Sequence, residues 1–244
     1  MEDKFYTHDE AVHNSRAPKE VVAIIIDLIQ PKSVLDVGCG IGTWLQTFNQ
    51  LGIMDYLGVD GDYVDRSLLK IPEDRFQPQD LRTQWDLNRK FDIVISLEVA
   101  EHLEEKYAQH FVNNLVKNGD VIIFSAAVPG QAGQHHLNEQ WLSYWIKIFS
   151  KFQFNYYDVL RPKIWNNPGV DVWYKQNIVI FCKNGHPLNE TLAKISSDYV
   201  NLIHPDLFQF YIKRAERISL YEEGKLGVRL AFNALRKALA NKLL

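Results

Sequence analysis

A cluster of acidic and imidazole side chains follows an almost unbroken apolar run near the middle of the chain. The stretch "FDIVISLEVAEHLEEKY" (residues 91–107) is typical of a buried strand, and it ends in Glu98, Glu101 and His102. Glu98 and Glu101 are three residues apart, so they share a face if the chain turns helical after the strand. Two carboxylates and an imidazole suit Mg²⁺ or Mn²⁺, whereas an imidazole alone can act as a general base. Both chemistries stay open.

Two more histidines, His135 and His136, lie in the segment "VPGQAGQHHLNEQW" that follows the next apolar run. In a parallel α/β sheet, ligands bind beyond the carboxyl ends of the strands, so we expect both segments to meet at one cleft. The candidate catalytic residues are His136, His102 and Glu101. The candidate ligands of a Mg²⁺ or other divalent ion are Glu98, Glu101, His102 and His136.

Helix and strand signals alternate through the first half of the chain. The runs "SVLDVG", "DYLGVDG", "FDIVIS" and "GDVIIFSAAV" are typical of buried strands, and amphipathic segments separate them. Strands that alternate with helices predict right-handed βαβ crossovers and a mostly parallel sheet that is covered on both faces.

The second half of the chain predicts a different connection. The runs "FQFNYYDVL" and "VWYKQNIVIFCK" are predicted as two long strands, joined by the loop "RPKIWNNPGVD". Two strands joined without a helix predict an antiparallel hairpin at one edge of the sheet. Trp165 lies in this loop, and the wall of a substrate pocket is one role open to it.

A glycine turn follows the first predicted strand, in "VLDVGCGIGTW" (residues 34–44). Gly38, Gly40 and Gly42 allow a sharp turn and a close approach of the backbone to a ligand, and the next helix offers unpaired N–H groups there. The turn has no GK[ST] sequence, which excludes an ATP-type phosphate loop. The carboxylate of Asp36 would repel a pyrophosphate but would accept a cationic or amino-bearing ligand. Asp60, at the end of the second strand, is placed to bind two ribose hydroxyls.

Together these motifs resemble the class I S-adenosylmethionine (SAM)-dependent methyltransferases. The resemblance rests on "VLDVGCGIGTW", "GVDG", "QDL" and "FDIVISLEVAEHL" and covers roughly residues 33–182. It implies an α/β, Rossmann-like, seven-stranded mostly parallel sheet with a terminal antiparallel hairpin and helices on both faces. It also implies SAM as the cofactor, with the methionine part at Asp36 and the glycine turn, the ribose at Asp60, and the adenine at Asp80 and Leu81. The implied cofactor-binding residues are Asp36, Gly38, Cys39, Gly40, Gly42, Thr43, Trp44, Asp60, Gly61, Asp80, Leu81, Ser96 and Leu97.

Two further resemblances concern the substrate. The "ExxEH" motif with a later histidine is similar to metal-assisted O-methyltransferases, among them small-RNA 2′-O-methyltransferases. The loop "GQHHLNEQW" is similar to bacterial methyltransferases of glycan or secondary-metabolite biosynthesis, which carry His-x-Asn-Glu-Gln-Trp after the fifth strand. That match carries over His136, Asn138, Glu139, Gln140 and Trp141, and we expect Asn138 to be a helix N-cap.

These resemblances imply O-methylation of a small polar metabolite, such as a sugar or glycan precursor. An RNA 2′-O-methyltransferase and a non-catalytic SAM-binding subunit are the alternatives.

Composition limits the compartment and the partners. The chain has 244 residues, a net charge of −3 and a sequence pI of about 6.2. A basic excess that would bind nucleic acid is missing, which argues against a nucleic-acid partner. Cys39 and Cys182 form no CxxC pair, and the polar N-terminus predicts no signal peptide. We therefore expect a cytoplasmic protein that acts on a small-molecule substrate.

The predicted domain organisation has two parts. Residues 1–184 form the methyltransferase domain, with residues 1–32 as an N-terminal helical cap, and residues 185–244 form a helical extension. The last predicted helix is basic and amphipathic, with Val228, Phe232 and Leu235 on its apolar stripe. Such a helix packs on its own domain or on a subunit, or binds peripherally to an anionic membrane.

Overall fold

A computed structural model of the chain describes residues 15–222 and residue 232. The seven strands are β1 (Ser33–Val37), β2 (Asp55–Asp60), β3 (Phe76–Pro78), β4 (Ile93–Leu97), β5 (Val121–Ser125), β6 (Phe154–Tyr157) and β7 (Val179–Lys183). The α-helices of the described residues are α1 (Arg16–Ile29), α2 (Thr43–Gln50), α3 (Ala108–Asn118), α4 (Leu142–Ser150), α5 (Leu160–Ile164), α6 (Val172–Asn177), α7 (Leu188–Ile195) and α8 (Pro205–Glu222).

The strands form one sheet in the order β3-β2-β1-β4-β5-β7-β6. The first five strands in this order pair in parallel, whereas β7 runs antiparallel to both β5 and β6. The order reverses between β1 and β4, and in open α/β sheets this switch point opens a crevice at the carboxyl edge. The predicted Rossmann-like sheet with a terminal antiparallel hairpin is confirmed.

Two apolar layers cover the two faces of the sheet. On one side, α1 and α2 pack against residues such as Val34 and Ile95. On the other side, α3 and α4 pack against alternate strand residues such as Leu35 and Val94. Since the central strands are buried on both faces, they are continuous apolar runs rather than alternating ones. The sheet is therefore a rigid support for the residues that follow its carboxyl edge.

The connection between β6 and β7 differs from the predicted loop. The two strands pair antiparallel as predicted, but both are short, and helices α5 and α6 form between them. Residues 172–177 have the valine and aromatic content of a strand, so their helix formation is a case of tertiary contacts overriding propensity. Gln176 donates from Nε2 to the carbonyl of Leu202 at 2.6 Å, and Asn177 reaches the Glu98 carboxyl group.

A buried ion pair fixes this helical connection to the chain after α7. Arg161 and Asp158 have side chains that are each 2% exposed, and Nε of Arg161 donates to Asp158 at 2.9 Å. The guanidinium also donates to the Tyr156 hydroxyl at 2.8 Å and to the Tyr199 carbonyl at 2.7 Å. The second Asp158 oxygen accepts a hydrogen bond from the hydroxyl of Ser197. These hydrogen bonds hold residues 196–200 against the N-terminal end of α5.

The compact unit that carries the sheet ends at Leu202, and α8 lies in a second unit that begins at Ile203. The division of the chain at residue 184 stays a prediction. The predicted basic C-terminal helix lies outside the described residues except for Phe232, and so does part of the predicted N-terminal cap. Among the helices that the structure describes, none combines the length and apolarity that a bilayer crossing requires.

The Arg161 ion pair leads to a stability prediction. Arg161→Met should lower the free energy of unfolding by about 3–5 kcal/mol, because it leaves the buried Asp158 carboxylate without its cation. The matched control is Lys90→Met, which removes an exposed pair with Asp120 and should cost under about 1 kcal/mol. Urea titrations of the wild type and both variants measure these values, and equal losses in the two variants would contradict a stabilising role of the buried Arg161–Asp158 pair.

Candidate active site

A cavity of about 970 Å³ lies at the carboxyl edge of the sheet. The glycine turn after β1, the segments after β2, β3 and β4, and the histidine segment after β5 all contribute to its wall. Helix α6 adds Trp173 and Tyr174. These are the elements whose carboxyl-terminal ends meet at the switch point of the sheet, as expected for a ligand site in this architecture.

The glycine turn packs tightly against the segment after β4. Gly38, Gly40 and Gly42 have φ values of 84°, 53° and 82°, which lie in the left-handed region that favours glycine. A Cβ atom on Gly38 would overlap the side chain of Val99. The N–H of Gly38 donates to the Val59 carbonyl at 2.7 Å. The turn is therefore fixed in position beside the cavity.

Asp60 is the buried acid that organises the end of β2. Its carboxylate accepts hydrogen bonds from the N–H of Gly40 at 2.7 Å and from the N–H of Gly61 at 2.6 Å. It also accepts from the hydroxyl of Tyr63 at 2.7 Å. A ribose hydroxyl would share this carboxylate with the Tyr63 hydroxyl, so the ribose role that the sequence resemblance implies for Asp60 stays a prediction. Tyr63 was not predicted from the sequence.

Asp80 and Leu81 line the cavity just after β3, next to the end of β2, where the N–H of Gln79 donates to the Asp60 carbonyl at 2.7 Å. Arg82 binds the Asp80 carboxylate through Nε and Nη2, both at 2.9 Å. The hydrogen bond from Arg82 lowers the pKa of the Asp80 carboxyl group. Leu81 is buried beside this pair. An adenine amino group that donates a hydrogen bond to Asp80 would therefore bind a carboxylate whose orientation Arg82 fixes.

Ten of the predicted cofactor-binding residues line the cavity, and three lie behind its wall. Those in the wall are Gly38, Cys39, Gly40, Thr43, Trp44, Asp60, Gly61, Asp80, Leu81 and Leu97. The others, Asp36, Gly42 and Ser96, are not among the lining residues. Asp36 is 3% exposed, and burial together with the nearby charge of Asp60 raises the pKa of its carboxyl group. The roles of all thirteen stay predictions.

Glu98 is held in an unusual backbone conformation at the end of β4. Its φ is 56°, a left-handed value that costs a residue with a side chain about 1–2 kcal/mol. Its N–H donates to the Ser125 hydroxyl at 3.0 Å, and its carboxyl group accepts from Gln131 at 2.6 Å and Asn177 at 3.1 Å. Burial raises the pKa of Glu98 to about 7, although these hydrogen bonds act to lower it.

Glu101 has the most secluded carboxyl group of the site. The residue is 0% exposed, and neither carboxyl oxygen has a partner at normal hydrogen-bond distance among the described residues, although backbone groups such as that of Ala127 lie near enough to act on its pKa. Burial and the nearby charge of Glu98 raise the pKa of this group well above its usual value. The main-chain carbonyl of Glu101, in contrast, accepts two hydrogen bonds, from the N–H groups of Leu137 and Asn138 at 2.8 and 3.0 Å.

His136 and Glu139 form a hydrogen-bonded pair within the histidine segment. Nδ1 of His136 lies 2.8 Å from Oε1 of Glu139. Glu139 also accepts from the N–H groups of Gly130 at 2.6 Å and Ala132 at 2.9 Å. Burial would raise the pKa of Glu139, but the hydrogen bonds from His136 and these two N–H groups lower it. An ionised Glu139 thus orients the His136 ring.

His102 and His136 both line the cavity, and their rings meet edge to face, with centroids 5.0 Å apart and an interplanar angle of 78°. Burial and the neighbouring His136 lower the pKa of His102 to about 4. His102 is therefore neutral near pH 7. Two imidazoles and the Glu101 carboxyl group meet at one place, as the sequence predicted.

Three of the four predicted metal ligands are close enough to share an ion. One ligand atom each from Glu101, His102 and His136 lies within 4.8 Å of the others. The buried carboxyl group of Glu101 has no hydrogen-bond partner at normal distance among the described residues, so its oxygens could coordinate a cation. Glu98 does not join this set, because Gln131 and Asn177 hold its carboxyl group. A two-histidine, one-carboxylate set fits a divalent transition metal.

One prediction about a neighbouring side chain is wrong, and one role left open by the sequence is decided. Asn138 is not a helix N-cap, because α4 begins at Leu142 and Trp141 is the capping residue. The Asn138 N–H is instead bound to Glu101, and its side-chain oxygen accepts from Gln140 at 2.9 Å. Trp165, the residue that ends α5, is not among the residues that line the cavity.

Sequence reasoning also missed several residues of the cavity. Trp173 and Tyr174 line the cavity from helix α6, whereas the sequence predicts a strand there. Aromatic character alone does not distinguish a residue of a cavity wall from a residue of the core. Gln131 was missed because nothing in its sequence neighbourhood indicates the distant partner Glu98. Gly130 and Gly133, which flank Gln131, were the only sequence signal that this segment approaches a ligand or another loop closely.

The glycine turn leads to a prediction with a matched control. Gly38 and Gly185 have nearly identical φ values of 84° and 83°, but a Cβ on Gly185 would meet nothing within 4 Å. Gly185→Ala should therefore cost about 1–2 kcal/mol of unfolding free energy for its backbone conformation alone. Gly38→Ala should cost about 1–3 kcal/mol more, for the overlap with Val99, and should weaken SAM binding. Urea unfolding and calorimetry measure both, and unchanged SAM affinity would contradict a cofactor role for this turn.

Comparisons with known proteins identify the family and the fold. A family model described as a methyltransferase domain matches residues 11–161, more than half of the chain. Similar solved structures include DesVI from Streptomyces venezuelae, at 14% identity and a TM-score of 0.53, covering 73% of this chain and all of that one. The SAM-bound CalS10 of Micromonospora echinaspora, an amino pentose methyltransferase, has 16% identity and a TM-score of 0.54, covering 75% of this chain and 99% of that one.

A third similar structure is the methyltransferase domain of bacterial CtHen1-C, at 17% identity and a TM-score of 0.51, covering 69% of this chain and 97% of that one. No curated protein matches the chain. At these identities the solved structures show the common fold, and the family model shows the family. The chain therefore belongs to the methyltransferase domain family, and it is a class I SAM-dependent methyltransferase.

Proposed function

We propose that this enzyme transfers the methyl group of SAM to a hydroxyl oxygen of a small polar metabolite, such as a sugar or glycan precursor. The observation that carries the proposal is the His136–Glu139 pair in the cavity wall, with Nδ1 of His136 2.8 Å from the glutamate. A histidine that donates from Nδ1 to a carboxylate keeps the lone pair of Nε2 for a proton. Such a pair is suited to general base catalysis.

The reaction requires a hydroxyl proton to leave as the oxygen attacks. When bound, SAM would supply the methyl group, and its carbon–sulfur bond would break as the bond from the methyl carbon to the acceptor oxygen forms. Nε2 of His136 takes the hydroxyl proton, and the Glu139 carboxylate stabilises the imidazolium that forms. His102 stays neutral beside it, so it does not repel that positive charge. Much of the rate would come from holding acceptor and methyl donor in line.

The charge of the cavity favours a small acceptor over RNA. Arg82 is the only lysine or arginine among the described residues that line it, and Arg82 is paired with Asp80. Phosphate contacts in nucleic-acid sites depend on clusters of such cations. The similarity in fold to an amino pentose methyltransferase is compatible with a sugar-like acceptor.

A metal-assisted transfer is the second candidate, and the cluster of Glu101, His102 and His136 favours it. Those three residues would hold a divalent ion, and the ion would lower the pKa of the acceptor hydroxyl. In that case His136 is a ligand, and the hydroxyl loses its proton without an imidazole base.

The general-base role of His136 is tested by substitution. His136→Gln should lower turnover by about 10²–10⁴-fold, because the proton acceptor is lost, and SAM affinity should stay unchanged. His110→Gln is the control, since His110 is an exposed residue of α3 outside the cavity. Turnover is measured as S-adenosylhomocysteine formed from labelled SAM with the small-molecule fraction of a cell extract.

The outcomes separate the alternatives. Full activity of His136→Gln would refute the general-base proposal. Labelling of only the RNA fraction would favour the RNA alternative. Labelling of neither fraction by the wild-type protein would favour a non-catalytic SAM-binding subunit.

Chelation distinguishes the two ways of activating the hydroxyl. With His136 as the base, turnover should persist after EDTA treatment and gel filtration. Loss of turnover in the wild type that Mn²⁺ restores would instead support the metal site. The Glu101→Gln variant is the control, because it removes a ligand charge and should not regain activity with Mn²⁺ if the ion binds at this cluster. Calorimetric titration with Mn²⁺ gives a second readout that does not depend on turnover.

A further inference from the structure

Three polar side chains from distant parts of the chain form a closed hydrogen-bonded ring at the end of β4. Nε2 of Gln131 donates to one carboxyl oxygen of Glu98 at 2.6 Å, and Nδ2 of Asn177 donates to the other at 3.1 Å. Nδ2 of Asn177 also donates to Oε1 of Gln131 at 2.8 Å. Each of the three side chains therefore binds both of the others, and they are termed the polar triad below.

The ring depends on the amide group at position 131. A glutamine side chain offers a donor and an acceptor from one amide, and here the donor binds Glu98 while the acceptor binds Asn177. A methionine of similar length would fill the same space with neither function. It would leave one oxygen of Glu98 and one donor of Asn177 with fewer partners, which is costly in a largely enclosed site.

The polar triad joins two walls of the cavity. Gln131 belongs to the histidine segment between β5 and α4, which brings His136 to the cavity. Asn177 is the last residue of α6, which brings two aromatic residues to it. Glu98 lies between the two walls and is itself fixed, because its N–H donates to the hydroxyl and the carbonyl of Ser125. Both walls are therefore bound to one fixed point at the end of β4.

The histidine segment needs attachment because part of its backbone is in an unfavourable conformation. Ala132 and His135 have φ values of 61° and 54°, in the left-handed region that disfavours residues with a side chain. The two hydrogen bonds to the Glu101 carbonyl bind the C-terminal half of the segment. The side chain of Gln131 binds its N-terminal half. The segment is thus attached to the end of β4 on both sides of His136.

We infer that Gln131 is a positioning residue for methyl transfer. Its amide group binds the histidine segment to Glu98 and Asn177, and this keeps the cavity wall that carries His136 in place during the reaction. Methyl transfer depends on the alignment of donor and acceptor, and a displacement of about 1 Å can lower such a rate about 10²-fold. The inference rests on the methyltransferase activity and not on the proposed O-methylation, since it requires no particular acceptor atom.

Hydrogen exchange measured by mass spectrometry tests the attachment. Gln131→Met should speed amide exchange in peptides from residues 128–141 by about tenfold or more, because the segment opens more often without this side-chain contact. Peptides from β1 should exchange at the wild-type rate. Gln109→Met is the matched control, since it removes an exposed amide of α3 that accepts from Lys151 at 3.2 Å. It should leave the exchange of residues 128–141 unchanged.

Activity distinguishes a positioning role from a purely structural one. Gln131→Met should lower the formation of S-adenosylhomocysteine, with the small-molecule fraction of a cell extract as acceptor, by about 10- to 100-fold. Its SAM affinity, measured by calorimetry, should match that of the wild type. Gln131 is partly exposed, so the variant keeps the buried packing of the domain. Wild-type exchange or wild-type turnover in Gln131→Met would overturn the inference. A SAM affinity that falls as far as turnover would also overturn it, because the defect would then lie in cofactor binding.

A double variant tests whether Gln131 acts through the polar triad. Asn177→Leu removes the other amide and should also lower turnover. The double variant should lose less than the product of the two single losses, because the hydrogen bond between Gln131 and Asn177 is removed by either change. Losses that multiply in the double variant would show that the two residues act independently, and the triad would be refuted.

Discussion

The site depends on two hydrogen bonds that the Glu101 carbonyl accepts from the N–H groups of Leu137 and Asn138. They join the end of β4 to the histidine segment that follows β5, although the two lie more than thirty residues apart in the chain. Because of this contact, His136 faces His102, and the buried Glu101 carboxyl group lies beside both. Glu139 completes the arrangement from within the segment, since it binds two N–H groups and orients His136.

The electrostatics of the cavity follow from this close packing. Two carboxyl groups, those of Glu98 and Glu101, are buried at the end of one strand, and burial raises the pKa of each. Their surroundings nevertheless differ. Glu98 is held by the amide side chains of Gln131 and Asn177, whereas the Glu101 carboxyl group has no partner at normal hydrogen-bond distance and lies beside two imidazoles. One "ExxEH" motif thus supplies two neighbouring but distinct environments, of which the one at Glu101 suits a hydroxyl group or a metal ion.

Much of the fold could be predicted from the sequence, because the signals involved are local. Buried strands appear as apolar runs, and the glycine turn is visible in its spacing. The helices α5 and α6 could not be predicted in this way, since residues 172–177 have strand-like composition and become helical through contacts such as that of Gln176 with Leu202. Propensity is a weak guide wherever such distant partners decide the conformation.

The candidate site was predictable in part for the same reason. The meeting of Glu101, His102 and His136 follows from sheet topology, which brings the ends of β4 and β5 to one edge. The separation of Glu98 from that group depends on Asn177, seventy-nine positions away along the chain. The role of Trp173 and Tyr174 depends in turn on the unpredicted helix α6. Side-chain partners far apart in sequence leave no local pattern.

The most direct test of the account is the identity of the atom that receives the methyl group. The enzyme is incubated with SAM labelled with ¹³C in the methyl group and with the small-molecule fraction of a cell extract, and the labelled product is examined by carbon and proton NMR. One labelled methyl group bonded to oxygen of a small polar compound is expected, with a signal about 10²–10⁴-fold weaker in the reaction with His136→Gln. A labelled methyl group on nitrogen or carbon, or on RNA, would contradict it.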